Sequence, residues 1–449
     1  MPAKRDLTQG STASAIFRLT LPMIGGIVAV LSVALVDTYY VSKLGTAELA
    51  ALSFTFPVTL ALASLSIGLG AGAASVVSRA VGSGDSKGAQ RLSTDSLLLA
   101  LLIVAAVSSI GYFSVHPLFS LLGASGEVLD LIAQYMHIWY LSMPFLVMPM
   151  VANALMRAIG DAVWPSAIMV GTSVVNIVVT PIFVFGWQSI PAYGLRGAAI
   201  GTLIAYAFTL LLSLYVVVIR EKLVTLALPT LEELQHSWQR VLKVAIPAAA
   251  GSMVNPVGVA FVTALLATFG DITVAAFGVA TRIESFACIP MLALSAAIGP
   301  IAGQNWGAGF KDRVIRALGQ CYVFCLLWSA FVAILLWIFA GPVSQVLASS
   351  DAVARETRLY LAIVPFSLAG YGIVITTSAA YNSLGKALTG LGYYLLRTAV
   401  LYVPFAWLAS IWFGAKEVFI AIAIANILAG LIAACFALRW LRQTQLTRH

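Results

Sequence analysis

The sequence predicts an all-α integral membrane protein with twelve transmembrane helices, arranged as two parallel six-helix repeats around a central cleft. Three observations carry this. Of the 449 residues, 61% are hydrophobic and only 9% charged, whereas soluble domains carry roughly 25% charged residues. Apolar runs of about 20 residues, the length that crosses hydrocarbon, recur from end to end. The two halves also match each other at a spacing of 225 residues.

The apolar runs centre near Val30, Ala63, Ile103, Ser142, Val174, Phe208, Phe261, Pro290, Ala330, Pro365, Tyr402 and Ile427. Turn-forming stretches separate them, among them Lys43-Leu-Gly-Thr-Ala-Glu48, Gly82-Ser-Gly-Asp-Ser-Lys87, Gly307-Ala-Gly-Phe-Lys311 and Gly414-Ala-Lys-Glu417. The first run extends well beyond a signal-peptide core, so it reads as a retained helix. The widest polar stretch, Arg220 to Lys243, divides the chain into an N-terminal lobe, 1–223, and a C-terminal lobe, 224–449.

Charge placement gives the orientation. The net charge of +8 comes from short basic clusters between apolar segments, a topology signal rather than a nucleic-acid face. With Lys4 and Arg5 inside, 18 of the 25 Lys and Arg are cytoplasmic. Lys43, Arg196, Arg355, Arg358 and Lys416 fall outside, and Arg282 and Arg397 lie within segments. Cations concentrate on the cytoplasmic side of membrane proteins, so both termini are expected there, in a bacterial inner membrane.

The repeat is ungapped over two helices and two loops. Arg18 meets Lys243, Pro22 meets Pro247, Gly26 meets Gly251, Gly45 meets Gly270, and Arg91 meets Arg316. Later the register is expected to drift, with Pro144 near Pro365 and Pro181 near Pro404. Six helices per unit return the chain to its starting side, which makes the units parallel, an arrangement known among transporters.

Enzyme and metal signatures are missing: there is no His-Glu-x-x-His, no phosphate-binding glycine loop and no paired-aspartate motif. His116, His137, His236 and His449 are too dispersed in sequence to suggest a metal site, and Cys321 and Cys325 read as packing residues. Without a nucleotide motif, the energy source is an ion gradient or the substrate's own gradient.

Acids inside spans are the informative residues. Asp37 lies deep in the first segment and Glu284 in the eighth. A charged Asp at a helix centre costs about 2.5–3.5 kcal/mol on insertion scales, and a carboxyl held away from water can switch between charged and neutral forms. Pro22, on the helix that carries Asp37, removes a backbone hydrogen bond and is a candidate hinge or simply a helix start. Glu284 has two readings: a structural ion pair, with Arg397 as partner, or a group facing the cleft. Arg282 lies on a different helical face. Tyr40 and Tyr140 are among the aromatics able to stack on a cationic substrate.

These residues resemble the multidrug and toxic compound extrusion (MATE) family over nearly the whole chain. The resemblance rests on Leu21-Pro22, Asp37 ahead of Leu44-Gly-Thr-Ala-Glu-Leu-Ala-Ala51, and Asn153 ahead of Arg157-Ala-Ile-Gly160. It continues in Asn176-Ile-Val-Val-Thr-Pro181, Gly197-Ala-Ala-Ile-Gly-Thr202 and Gly303-Gln-Asn-Trp-Gly-Ala308. The variant is similar to the DinF-type branch. The resemblance implies antiport, in which a cationic or amphipathic organic compound leaves the cytoplasm as protons or sodium ions enter. It makes Asp37 the coupling acid, Asn176 and Thr202 its polar neighbours, Asn153 an amide lining the lobe, and Pro22 the site of bending.

Two positions depart from the pattern. Thr180 stands where relatives often carry a second aspartate, and Asn255 where another branch has a glutamate. With fewer carboxylates the balance moves towards protons, sodium being the alternative through Asp37 and neutral oxygens. The expected protein is therefore a monomeric proton-coupled exporter without cofactor, metal or nucleic-acid partner, whose partners are the bilayer, protons and organic cations or amphipathic drugs. A lipid-precursor flippase of related two-lobe plan is the rival reading.

Overall fold

The computed structural model describes residues 6–446 apart from 226, 228 and 349, so Lys4, Arg5 and His449 lie outside it. Among the described residues there is no strand, only a single bridge between Trp187 and Ile190. The first six helices are α1 (Thr12–Ser42), α2 (Thr46–Gly82), α3 (Ser86–Leu121), α4 (Gly126–Ala158), α5 (Val163–Phe185) and α6 (Leu195–Leu214). A π-helical turn, Tyr215–Arg220, prolongs α6. After the linker come α7 (Leu231–Ala267), α8 (Asp271–Ala287), α9 (Ile289–Gly307) and α10 (Lys311–Leu347). Then α11 (Asp351–Ile363) and α12 (Leu368–Ser383) join through a 3₁₀ turn. Next α13 (Ala387–Leu395) and α14 (Val403–Trp412) join through the π-helical stretch Leu396–Tyr402, and α15 (Ala415–Leu446) closes the chain.

Among the described residues eleven helical stretches are long and apolar enough to cross a membrane, and the bent pair α8–α9 makes the twelfth span. Every predicted centre falls inside one of them. The bend of 45° lies at Cys288. Pro290 begins α9 and has no N–H to continue the ladder from α8, which is why the span breaks there.

The repeat is more regular than the prolines suggest. Thr46–Gly82 and the pair Asp271–Gly307 are displaced by 225 residues at both ends, as are Gly126–Ala158 and Asp351–Ser383. The helical register holds past Pro144 and Pro365 to Ser383; beyond it the expected drift sets in, since Val163 and Ala387 start helices 224 residues apart and Leu195 and Ala415 start helices 220 apart. Gly84 and Gly309, one displacement apart, both take left-handed backbone (φ 80° and 81°) that favours glycine.

Two compact units follow from the packing: Leu21–Ala249, and the residues up to Thr20 together with those from Ala250 onward. The chain thus changes unit inside α1 and again inside α7. In the first unit, Val76, Met136, Leu155 and Phe119 are fully or almost fully buried in one apolar core. Gly68 and Gly72 of α2 admit the α7 backbone: an added Cβ would lie 2.5 Å from the Ala245 carbonyl and 2.6 Å from that of Val241. The linker is fastened to α3, with Gln90 Nε2 donating to the Lys222 carbonyl (2.8 Å) and the Thr225 N–H to Thr94 Oγ1 (3.0 Å). Thr230 and Glu233 exchange hydrogen bonds in a capping box that starts α7.

In the second unit α12 packs against α9 and α15. Tyr360, Tyr381, Phe277 and Phe419 are its largest buried side chains. A Cβ on Gly370 would lie 1.9 Å from the Asn426 carbonyl, so α12 and α15 touch backbone to backbone.

Candidate functional site

Four elements of the first unit carry the predicted residues. Asp37 and Tyr40 sit one turn apart on α1, Asn153 is on α4, Asn176 and Thr180 on α5, and Thr202 on α6. The Tyr40 hydroxyl donates to the Ile177 carbonyl (3.3 Å), which ties α1 to the stretch of α5 between Asn176 and Thr180. Asn176 Nδ2 reaches Thr202 Oγ1 at 3.5 Å, and Thr202 donates to the Ala198 carbonyl of its own helix (3.0 Å). Thr180 is fully buried, its hydroxyl over Gly201 of α6.

Unsatisfied oxygens recur in this group. Asp37 Oδ1, Asn153 Oδ1, Asn176 Oδ1 and Thr180 Oγ1 are all buried without a hydrogen-bond partner. Native interiors hold few such atoms, and each calls for an explanation. What buried acceptors lack is a donor or a positive charge. Asp37 also lies close enough to Tyr135 of α4 and Tyr206 of α6 to act electrostatically on both phenols. Sequence reasoning passed over these tyrosines because aromatic residues on apolar helices so often pack as core.

The other predicted residues stand elsewhere in this unit or in the second one. Tyr140 is 3% exposed and fills the space above Gly111 of α3, where an added Cβ would lie 2.1 Å from its ring. Pro22 sits within an unbroken α1, its carbonyl accepting the Ser166 hydroxyl. In the second unit Glu284 accepts the Tyr360 hydroxyl, and Arg397 acts on it at longer range. Arg397 is buried and donates to Asn426 Oδ1 (2.9 Å) and Asn255 Oδ1 (2.6 Å), while its guanidinium lies over the Tyr371 ring. Arg282 is exposed on α8. Among the described residues no group of three or more His, Cys, Asp or Glu could hold a metal. His116 and His137, distant in sequence, nevertheless come together with ring centroids 6.2 Å apart.

Twelve helical spans with an unpaired acid inside the first describe a membrane transporter rather than an enzyme. The chain belongs to the MatE family, whose profile matches residues 22–182 and 247–408. It is 35% identical to the FAD transporter of Shewanella oneidensis, over 98% of this chain and 96% of that one. It is 27% identical to the probable multidrug resistance protein YpnP of Bacillus subtilis, over 92% of each. In structure it is similar to an Asp→Asn mutant of the Vibrio cholerae MATE transporter VcmN, with TM-score 0.92 and 30% identity. That match covers 96% of this chain and 97% of the other.

Proposed function

We propose that the protein is a proton-coupled antiporter of a bacterial inner membrane, with both termini cytoplasmic and the repeats 1–223 and 224–449 as its lobes. It exports cationic or amphipathic organic compounds by alternating access, and Asp37 is its protonation switch. The observation that carries this is the buried Asp37 Oδ1 without a hydrogen-bond partner, on the helix that Tyr40 ties to the stretch of α5 holding the unsatisfied Asn176 and Thr180 oxygens. A proton arriving on that carboxyl supplies the missing hydrogen and removes the charge. The loss of charge changes what the Asn153, Asn176 and Thr180 oxygens can hold, and a bound organic cation leaves. Each proton driven across the full potential contributes about 2.3 kcal/mol per 100 mV.

Sodium is the second reading of the ion, favoured by the same neutral oxygens, since hard cations take oxygen ligands. A second reading of the cargo follows from the similarity to the Shewanella oneidensis FAD transporter: a flavin dinucleotide, amphipathic and aromatic but anionic. One experiment addresses all three. In proteoliposomes with an imposed pH gradient and no sodium, wild type moves a fluorescent organic cation and Asp37→Asn does not. Unchanged pH-dependent movement by Asp37→Asn overturns the mechanism. Movement that requires sodium selects the second ion, and movement of the flavin dinucleotide alone selects the second cargo.

A further inference from the structure

A cavity of about 580 Å³ opens in the first unit where α3 ends and α4 and α6 begin, away from the site just described. Tyr112 and His116 of α3, Asp130, Gln134 and His137 of α4, and Arg196 of α6 line it. The Tyr112 and His137 rings lie with centroids 4.5 Å apart, tilted by 48°, and form one wall. Arg196 and Asp130 are both exposed and share the cavity, yet neither makes a side-chain ion pair or hydrogen bond among the described residues. The cavity therefore offers one free cation, one free anion and an aromatic face.

Its depth in the membrane says what such a set meets. α3 has 36 residues, about 54 Å of helix, against about 30 Å of hydrocarbon and 40–45 Å with headgroups. The excess falls at its polar start, Ser86–Ser96, and about 20 residues from Leu97 cross the hydrocarbon, which brings His116 and the last turns to the opposite headgroup layer. Beside the cavity, Phe113 is 83% exposed and Leu141 58%, and Leu121 at the end of α3 is 86% exposed. In a membrane-spanning protein these are surfaces for acyl chains.

We propose that this cavity is a phospholipid site for a zwitterionic headgroup bearing a phosphate and a primary ammonium. Arg196 and His116 take the phosphate, by charge and by donated N–H groups. Asp130 takes the ammonium, whose cationic end also rests against the Tyr112 ring. The acyl chains run along Phe113 and Leu141. A headgroup with phosphate alone leaves Asp130 without its partner and repels it, so the site discriminates between lipids that share one backbone.

Native mass spectrometry of the detergent-purified protein tests this with equimolar phosphatidylethanolamine and phosphatidylglycerol. Wild type is expected to hold one phosphatidylethanolamine in at least fivefold preference. Arg196→Gln loses both lipids about tenfold, Arg196→Lys keeps them, and Asp130→Asn brings the two lipids to equal occupancy. Both residues are exposed, so the fold tolerates the changes, and unaltered melting temperatures check it. Equal binding of the two lipids by wild type, or a preference that survives in Asp130→Asn, overturns the proposal. So does displacement of the lipid by an equimolar amount of soluble glycerophosphoethanolamine, which would make the free headgroup the ligand.

Discussion

Asp37 and Glu284 are the two acids that the sequence places deep in spans, and their surroundings separate their roles. Asp37 Oδ1 has no donor, whereas Glu284 receives the Tyr360 hydroxyl and feels the charge of Arg397. Arg397 is in turn held by neutral Asn255 and Asn426, and Asn426 donates to Ser367 (3.1 Å). This is a satisfied network, of the kind that specifies a packed core. Glu284→Gln is therefore expected to leave proton-driven efflux within about twofold of wild type in the proteoliposome assay, unlike Asp37→Asn. Arg397→Ala strands the two amide oxygens and should cost about 2–3 kcal/mol, read as a lowered melting temperature in detergent. Asp37 was legible in the sequence because an acid in an apolar run is costly and conspicuous. Tyr135 and Tyr206 were not, because only the fold shows which tyrosines of α4 and α6 come within electrostatic reach of Asp37.

At the scale of elements, helix contacts made through glycine are the most brittle feature. Gly370 and Gly430 bring α12 and α15 together so closely that the Asn426 carbonyl occupies the place of a side chain. Gly392 of α13, by contrast, has nothing within 4 Å of its Cβ position. Gly370→Ala is expected to abolish recovery of monodisperse protein, and Gly392→Ala to leave it unchanged; size-exclusion profiles after expression check both. The spans and their order were readable from hydropathy, since a helix crossing lipid must be apolar along its length. The break between α8 and α9 was not. Prolines such as Pro57 and Pro117 lie inside unbroken helices, so Pro290 carried no sign of its own.

For the whole molecule, the notable arrangement is the start of the chain, whose residues up to Thr20 pack with those from Ala250 onward. Leu7 is fully buried there; its N–H donates to Gln304 Oε1 (3.1 Å) and its carbonyl accepts from Asn305 Nδ2 (3.0 Å). Arg313 completes the clamp, with Nη1 on the Gly10 carbonyl (2.8 Å) and Nη2 on those of Gln9 (3.2 Å) and Leu7 (3.3 Å). No sequence pattern announces a guanidinium that serves carbonyls some 300 positions away, and Arg313 reads in the sequence only as a cytoplasmic loop cation. α1 runs unbroken from Thr12, just past this clamp, to Ser42, so on the proposed reading of Asp37 the anchored start is the fixed end of the helix. Arg313→Ala removes one donor from each of three main-chain carbonyls, of which Leu7 keeps Asn305, and breaks a 2.7 Å bond to Asn305. Hydrogen bonds to charged groups contribute about 1.5–3 kcal/mol each, less where water replaces them. A melting temperature lower by a few degrees, with faster proteolysis ahead of α1, is the expected result. If the clamp also serves as that fixed point, proton-driven efflux falls in Arg313→Ala at temperatures where the protein is still folded. Efflux equal to wild type under those conditions reduces the clamp to a stabilising contact.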